Sequence, residues 1–283
     1  MLFFPYYCTQ SEYFLKELFH IVSGQKENVQ QVLSLRLGEK HASFVITGKS
    51  GNELYELVYC SVEDWNEELR IDFFSKYPSI QNSFYQVNVS YDFPQTILTP
   101  LTVHNFGESK LLLTTSHGIL SGSNIISELI PEWQLYNTYA VPEEILNWVK
   151  EKYPSPKAMQ QFSLAVKKIN SGSQEGVILI DFRKDDFTLL LAGNSRILLA
   201  QTFQYKTPDD VIYYLLKTCN QFSLSQVDVN LQLSGLIEKE SSLFRELYQY
   251  FIHLEFREAA WKSAHEFPAH FFTSLNDLSQ CAL

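Results

Sequence analysis

Asp181 stands where a run of apolar residues, Val177 to Ile180, gives out, and Arg183 lies two residues on. A carboxylate at a strand end beside a tight loop can organise the water shell of a Mg²⁺ ion or orient an attacking water. A comparable place occurs near Leu33, where "LSLRLGEKHASFVITG" passes through Arg36 to Gly38. Glycine there lets backbone amides approach a phosphate closely, because no Cβ intervenes. A third glycine, Gly235, follows the apolar run in "LQLSGLIEKES". Arg36 and Arg183 can each offer two donors to phosphate oxygens. Glu39 can replace a missing carboxylate if its loop turns it inward. The plainer alternative makes both loops ordinary hairpin approaches with solvated charges. Asp181 then pairs with a neighbouring arginine or caps a turn, and Gly235 marks a strand exit.

Other chemistries find less support. The histidines are His20, His41, His104, His117, His253, His265 and His270, with no HExxH spacing and no neighbouring cysteine cluster, so no metal centre is expected. Ser116 and His117 in "TTSHG" are adjacent on an expected strand, Lys110 to Ser116, and would point to opposite faces, unable to share a proton. Neither a GxSxG elbow nor a GxxxxGK[ST] loop occurs. Cys8, Cys60, Cys219 and Cys281 form no CxxC pair, which suits reduced thiols in a reducing compartment.

The elements that would position Asp181 and Gly38 read as a duplication. Setting Arg36 against Asp181 places Ser43 against Thr188 and Gly48 against Gly193. Each unit begins with alternating strands joined by Gly/Asn/Ser turns. A helix follows in each. In "KTPDDVIYYLLKTCNQF", Thr207 caps, Pro208 suits the first turn, Asp209 and Asp210 favour the positive helix end, and Val211, Leu215, Cys219 and Phe222 share a face. In "SVEDWNEELRIDFFSKYP", Ser61 is the expected cap and Trp65, Leu69 and Phe73 form the stripe. The strands "FYQVNVSY" and "VDVNLQLSG" complete the units.

An insert from about Asp92 to Ser173 separates the copies. It holds the expected strand at 110–116, a helix at Pro142 to Lys152, a turn and strand in "YPSPKAMQQ" and a short helix in "FSLAVKKIN". It ends at "SGSQEG", a small, polar, Gly-rich linker. The expected organisation is a first lobe with its insert at 1–173 and a second lobe at 174–265. Residues 266–283 form a C-terminal helix packing back toward the first lobe through Phe271, Leu275 and Leu278. Within the second lobe, Leu243, Leu247 and Phe251 mark a helix that leads into a strand.

The 283 residues are 45% hydrophobic and carry a net charge of −10, so they can bury a substantial core. No Lys/Arg-rich run stands out, which argues against nucleic acid or an anionic membrane as partner. No apolar run is long enough to span a bilayer, and the aromatic start "MLFFPYYCTQSEYFLKELFH" lacks the basic region of a signal peptide. A cytoplasmic protein is expected.

The wording of "LSLRLGEKHASFVI", "AQTFQYKTPDDVIYYLL", "LQLSGLIEKESSLFRELYQYF" and "PAHFFTSLNDLSQCAL" resembles an uncharacterised bacterial family with the actin/hexokinase/Hsp70-like ATPase fold. That is an α/β fold of two lobes, each a βββαβ unit built on a mixed sheet. The architecture is also similar to the actin-like assembly proteins of type IV pilus and type II secretion systems. The resemblance implies a nucleotide cleft between the lobes, with one hairpin loop from each lobe facing the phosphates, usually as Asp-x-Gly. Here the first loop reads Arg36-Leu37-Gly38 and the second Asp181-Phe182-Arg183, so each keeps a different half. The implied cleft residues are Gly38, Asp181, Arg183 and Gly235. The expectation is a catalytically inactive actin-like scaffold for a protein partner, with no cofactor. The alternative binds or hydrolyses Mg-ATP with atypical loops. That alternative requires an open polar cleft on which Asp181, Gly38 and Gly235 converge. A cleft filled by a side chain such as Phe182 or Arg183 would speak against it.

Overall fold

Period-two alternation decides which residues meet at the centre of this molecule. The computed structural model describes residues 15–24, 30–118, 120–171, 176–261 and 267–282. In chain order the first half comprises β1 (Leu15–Val22), β2 (Gln31–Gly38), β3 (His41–Gly48), β4 (Leu54–Val62), α1 (Glu67–Lys76) and β5 (Gln86–Asp92). The insert adds β6 (Thr96–Pro100), α2 (Phe106–His117), β7 (Ser123–Ile130) and β8 (Leu135–Pro142). Next come α3 (Glu143–Lys152), β9 (Lys157–Gln160) and α4 (Gln161–Val166). The second half runs β10 (Val177–Phe182), β11 (Asp186–Gly193), β12 (Arg196–Gln204), α5 (Pro208–Gln221), β13 (Asn230–Gly235), α6 (Ser242–Tyr250), β14 (His253–Phe256) and α7 (Thr273–Ser279).

Two mixed sheets result. The first is ordered β1-β4-β3-β2-β5-β9 and the second β12-β11-β10-β13-β14, while β6-β8-β7 form a small antiparallel sheet. The duplication is visible in register. Arg36 pairs with Ser43 on β3 and Ser90 on β5; Asp181 pairs with Thr188 on β11 and Ser234 on β13. Leu33, Leu35 and Leu37 point into one apolar layer with Leu69, Phe73, Trp148 and Val149 of α1 and α3. Ile178, Ile180 and Phe182 point into another with Val211, Leu215 and Leu247 of α5 and α6. Because successive side chains alternate faces, Arg36 and Asp181 project from the opposite, inner face of each sheet.

The helix starts follow capping chemistry. Thr207 and Asp210 form the full capping box of α5. For α1 the expected cap is corrected: Asn66, not Ser61, accepts from the Leu69 amide, because Ser61 is held in the ladders to His41 and Lys16. A second correction concerns 110–116, which is helix rather than strand. Asn105 caps α2, Ser109 and Leu113 face inward, and Gly118 (φ 85°) ends it. The run Leu111–Leu112–Leu113 carries no alternation, and a short apolar run suits either element. Ser116 there donates to the Leu112 carbonyl, 2.8 Å away. The aromatic residues 1–14, with Cys8, and also His265, lie outside the described residues.

The C-terminal segment closes the inner side of the first sheet. Phe271, Phe272 and Leu275 pack on Val45, Leu54 and Leu57. Trp261 donates from Nε1 to the Gly51 carbonyl at 2.7 Å. Asn88 of β5 donates to the Leu278 carbonyl at 3.3 Å. Phe272 is fully buried here and sits edge-on to Phe19 of β1. Phe272→Ala is expected to lower stability by about 3–5 kcal/mol, the usual range for a buried phenylalanine; urea unfolding monitored by tryptophan fluorescence checks it.

Candidate functional site

The inner faces of the two sheets meet at Arg36. Its side chain is 5% exposed and its Nη2 lies 2.7 Å from Asp92 Oδ2 and 2.9 Å from Asp181 Oδ2. Nε also donates to Asp92 Oδ2 at 2.7 Å. Asp92 ends β5 in the first sheet and Asp181 stands in β10 of the second, so one guanidinium ties both. His41 Nε2 donates to Asp92 at 3.0 Å, and Ser234 Oγ donates to Asp181 Oδ1 at 3.1 Å. Arg183 is buried nearby. Its Nε pairs with Asp186 and its Nη1 donates to Gln161 Oε1 of α4 at 2.7 Å.

Electrostatics follow this pairing. Burial alone would raise the Asp92 carboxyl, but Arg36 and then His41 hold it well below the usual carboxylate range. Burial also works against ionised Asp181, and Arg36 and Arg183 overcome it, so its pKa is lowered as well. His41 is lowered too, but for the opposite reason: burial favours its neutral ring and pushes it down despite Asp92. With His41 neutral, the cluster sets two arginines against Asp92, Asp181 and Asp186. The space left beside them is a cavity of about 30 Å³, lined by Arg36, Ser90, Gln161, Asp181, Ser234 and Asp277 among others. That is room for a water or two, each of which needs at least about 10–15 Å³ of such space. A pocket for a drug-sized ligand spans roughly 300–1,000 Å³.

Each residue singled out from the sequence has a definite place. Asp181 and Gly235 come together. Gly235 has φ +80°, and a Cβ there would stand 2.1 Å from the Phe182 carbonyl oxygen and 2.9 Å from Asp181 Oδ1. Its bareness lets the chain leave β13 across β10, with the Leu236 amide donating to that same carbonyl. Gly38 lies against the His41 ring, which a Cβ would strike at 2.2 Å. It reaches the Asp181 group only through His41, Asp92 and Arg36. Glu39 does not turn inward; it is exposed and accepts from Gln95. Phe182 belongs to the core of the second sheet. The side chain that crosses between the sheets is Arg36.

Asp92 and His41 are the participants that sequence reasoning missed. One signal existed: Ser90 of "NVSYD" stands against Ser234 of "LQLSG" in the duplication, which brings Asp92 to the end of the strand beside Arg36. Among the described residues, no three His, Cys, Asp or Glu side chains are grouped to hold a metal ion.

Removing Arg36 tests the arrangement. Arg36→Met leaves two buried carboxylates without their cation and is expected to cost about 3–5 kcal/mol at neutral pH. The sign with pH is defined. Unfolded, both acids titrate near about 3.9; folded, their pKa values are lower. Their contribution in the natural chain is therefore complete above that value and is lost as pH falls through the folded pKa values. In Arg36→Met the unpaired acids favour the protonated form, so the stability gap between the two proteins narrows as pH falls from 7 toward 3. Denaturant unfolding across that range measures it. A gap independent of pH contradicts the assignment.

Comparison with known proteins agrees with this architecture. No curated protein matches the sequence. A crystallised Bacteroides thetaiotaomicron protein with an actin-like ATPase fold and unknown function is 18% identical and superposes with a TM-score of 0.72, over 91% of this chain and all of that one. A chain from the PilM–PilN type IV pilus biogenesis complex is 9% identical at a TM-score of 0.54, over 89% of this chain and 98% of its own. Two sheets of duplicated strand order, joined at their inner faces, are thus the actin-like ATPase fold. Residues 24–254 match the family described as protein of unknown function (DUF3822), and the chain belongs to that family.

Proposed function

We propose that this chain is an actin-like protein that serves as a protein-interaction scaffold and does not turn over ATP. One observation carries the reading: Arg36 spans the two sheets through Asp92 and Asp181, beside the two loops that the family resemblance implies would face a nucleotide's phosphates. Its carboxylate partners are Asp92 and Asp181. An entering triphosphate would have to displace them while adding negative charge to a cluster in which three aspartates already outnumber two arginines. The 30 Å³ cavity beside the cluster supports the same conclusion. So does Glu39, whose carboxylate faces away.

The scaffold half of the proposal rests on the surface and on a relative. PilM, of the same fold, is found with PilN in a pilus biogenesis complex. Here the insert displays Leu101, Val103, Phe106, Leu111 and Leu112 to solvent, a concentration of exposed apolar side chains of the kind that marks interaction sites. We place the protein in the cytoplasm because Cys60, Cys219 and Cys281 are free thiols. Among the described residues, no helix is long and apolar enough to cross a membrane.

Titration calorimetry with Mg-ATP at millimolar concentration is expected to give no saturable heat, and Mg-ATP or Mg-ADP to leave the melting temperature unchanged. Tight, saturable binding that Asp181→Ala abolishes would overturn the proposal in favour of a nucleotide-binding protein with atypical loops.

A further inference from the structure

A second feature lies at the outer end of the second sheet. β12 is its terminal strand, and among the described residues no strand pairs with its free edge. Proteins blunt such edges with brevity, charge, proline or a bulge, because unpaired backbone groups recruit other chains. The other edges here follow that rule. β9 and β14 have four residues each. β6 has five and ends at Pro100. β1 carries Lys16 and Glu17 and a register shift after Glu17. β7 carries Glu128, whose carboxylate accepts from the Gln160 amide at 3.0 Å. β12 is nine residues long, RILLAQTFQ, with one charge, Arg196, at its start. Its pairing to β11 shifts once, at Leu198, and is regular from Leu199 to Gln204.

Both faces of β12 are engaged. Leu199 and Phe203 pack on the core that holds Val211 and Leu215 of α5, and Phe203 stacks on Tyr214 at 4.3 Å. Ile197 and Ala200 pack on the cluster of Ile130, Phe162 and Leu190. What β12 leaves unused is its outer row of backbone N–H and C=O groups. That row selects its occupant by chemistry: an extended chain presents donors and acceptors at the matching spacing, and a helix does not.

Such a chain can come from a second copy or from another protein, and charge separates the two. In a two-fold antiparallel pair of β12 strands, opposed residues lie on the same side of the sheet. The register that sets Leu199 against Phe203 of the second copy also brings Arg196 toward Lys206 of that copy, and does so at both ends. Both residues are exposed, and neither has a carboxylate within ion-pair distance among the described residues. Like charges opposed across strands are destabilising. A foreign strand with an acid near each end meets both cations instead.

We infer that β12 receives an extended segment of a partner protein as an added antiparallel strand of the second sheet, by β-augmentation. This rests on the scaffold reading above and names the surface and the kind of segment it holds. The segment carries apolar residues opposite Leu199 and Phe203, a polar residue opposite Gln201, and Asp or Glu near each end.

The probe is a display library of random peptides about 12 residues long, roughly 40 Å when extended, selected on the immobilised full chain. The expected winners alternate apolar and polar residues, lack a central proline and are acidic at both ends. A synthetic winner is then methylated at single backbone amides. The effect should alternate along the peptide: methylating an amide that faces β12 costs at least about tenfold in affinity, or about 1.4 kcal/mol, and methylating the next one does not. Arg196→Glu should weaken the same winner by at least about threefold, the scale of an exposed ion pair. Arg196 is exposed, and an unchanged thermal melt verifies that the fold is kept. The inference is overturned if no peptide is enriched, if methylation shows no period of two, or if Arg196→Glu binds as well as the natural chain. A dimer of the chain that a winner dissociates assigns the edge to a second copy and overturns it as well. Winners without the methylation period leave the scaffold reading standing and remove the edge. Saturable Mg-ATP binding removes the scaffold reading and leaves the strand result as it is.

Discussion

A guanidinium shut away from water has to be matched by anions placed close enough to replace its lost hydration, and Arg36 is shut away where the two sheets meet. Neither half of the chain can satisfy it alone: Asp92 comes from the first sheet and Asp181 from the second. Measured against a well-packed apolar contact, a buried ion pair adds little net stability. Its strength lies in penalising every other arrangement. If the second sheet slid along the first by one residue pair, Asp181 would leave Arg36 and stay buried without that cation, while Arg36 would be left with Asp92 alone. The apolar layers behind α1 and α5 supply the bulk of the burial, but oily surfaces tolerate sliding. The charged contact fixes the relative position of the sheets. His41, Ser234 and Gln161 then complete the hydrogen bonds that the central group leaves open.

Much of this architecture could be read from local chemistry. The alternation of Leu33, Leu35 and Leu37, the capping sequence at Thr207 to Asp210 and the paired glycine turns at Gly48 and Gly193 each depend on near neighbours. The chain adopts them as read. The misreadings also have local causes. Three successive leucines at 111–113 show no period, so helix and strand were equally compatible with them until Asn105 and Gly118 set the limits. Ser61 is a good capping residue by type, but the β4 ladder had already claimed it, and Asn66 took the role.

The site was legible only in part, because its key contact spans 145 residues. Arg36 and Asp181 could each be singled out as loop residues, and their alignment in the duplication even placed them at matching positions. Nothing local shows that matching positions on two facing sheets lie opposite one another and bond. Asp92 was harder still. It is the last residue of β5, but it stands just past the strand wording of the sequence and so looked like the first residue of the insert. Gly235 shows the converse: its type suggested phosphate contact, whereas the geometry uses its missing Cβ to let the chain leaving β13 pass close over the end of β10.

The return of the chain to its beginning has a consequence for how the protein is made. The inner face of the first sheet, with Val45, Leu54 and Leu57, is covered by Trp261, Phe271, Phe272 and Leu275. During synthesis the first sheet therefore emerges long before its cover. It must wait with an apolar face bare while the insert and the second half are translated, a situation that exposes nascent chains to aggregation. The half of the protein that leaves the ribosome earliest cannot finish folding until residues 259–278 have followed it out. Chaperone demand should thus be greatest mid-translation, and slow codons in the second half would lengthen the exposure of the first.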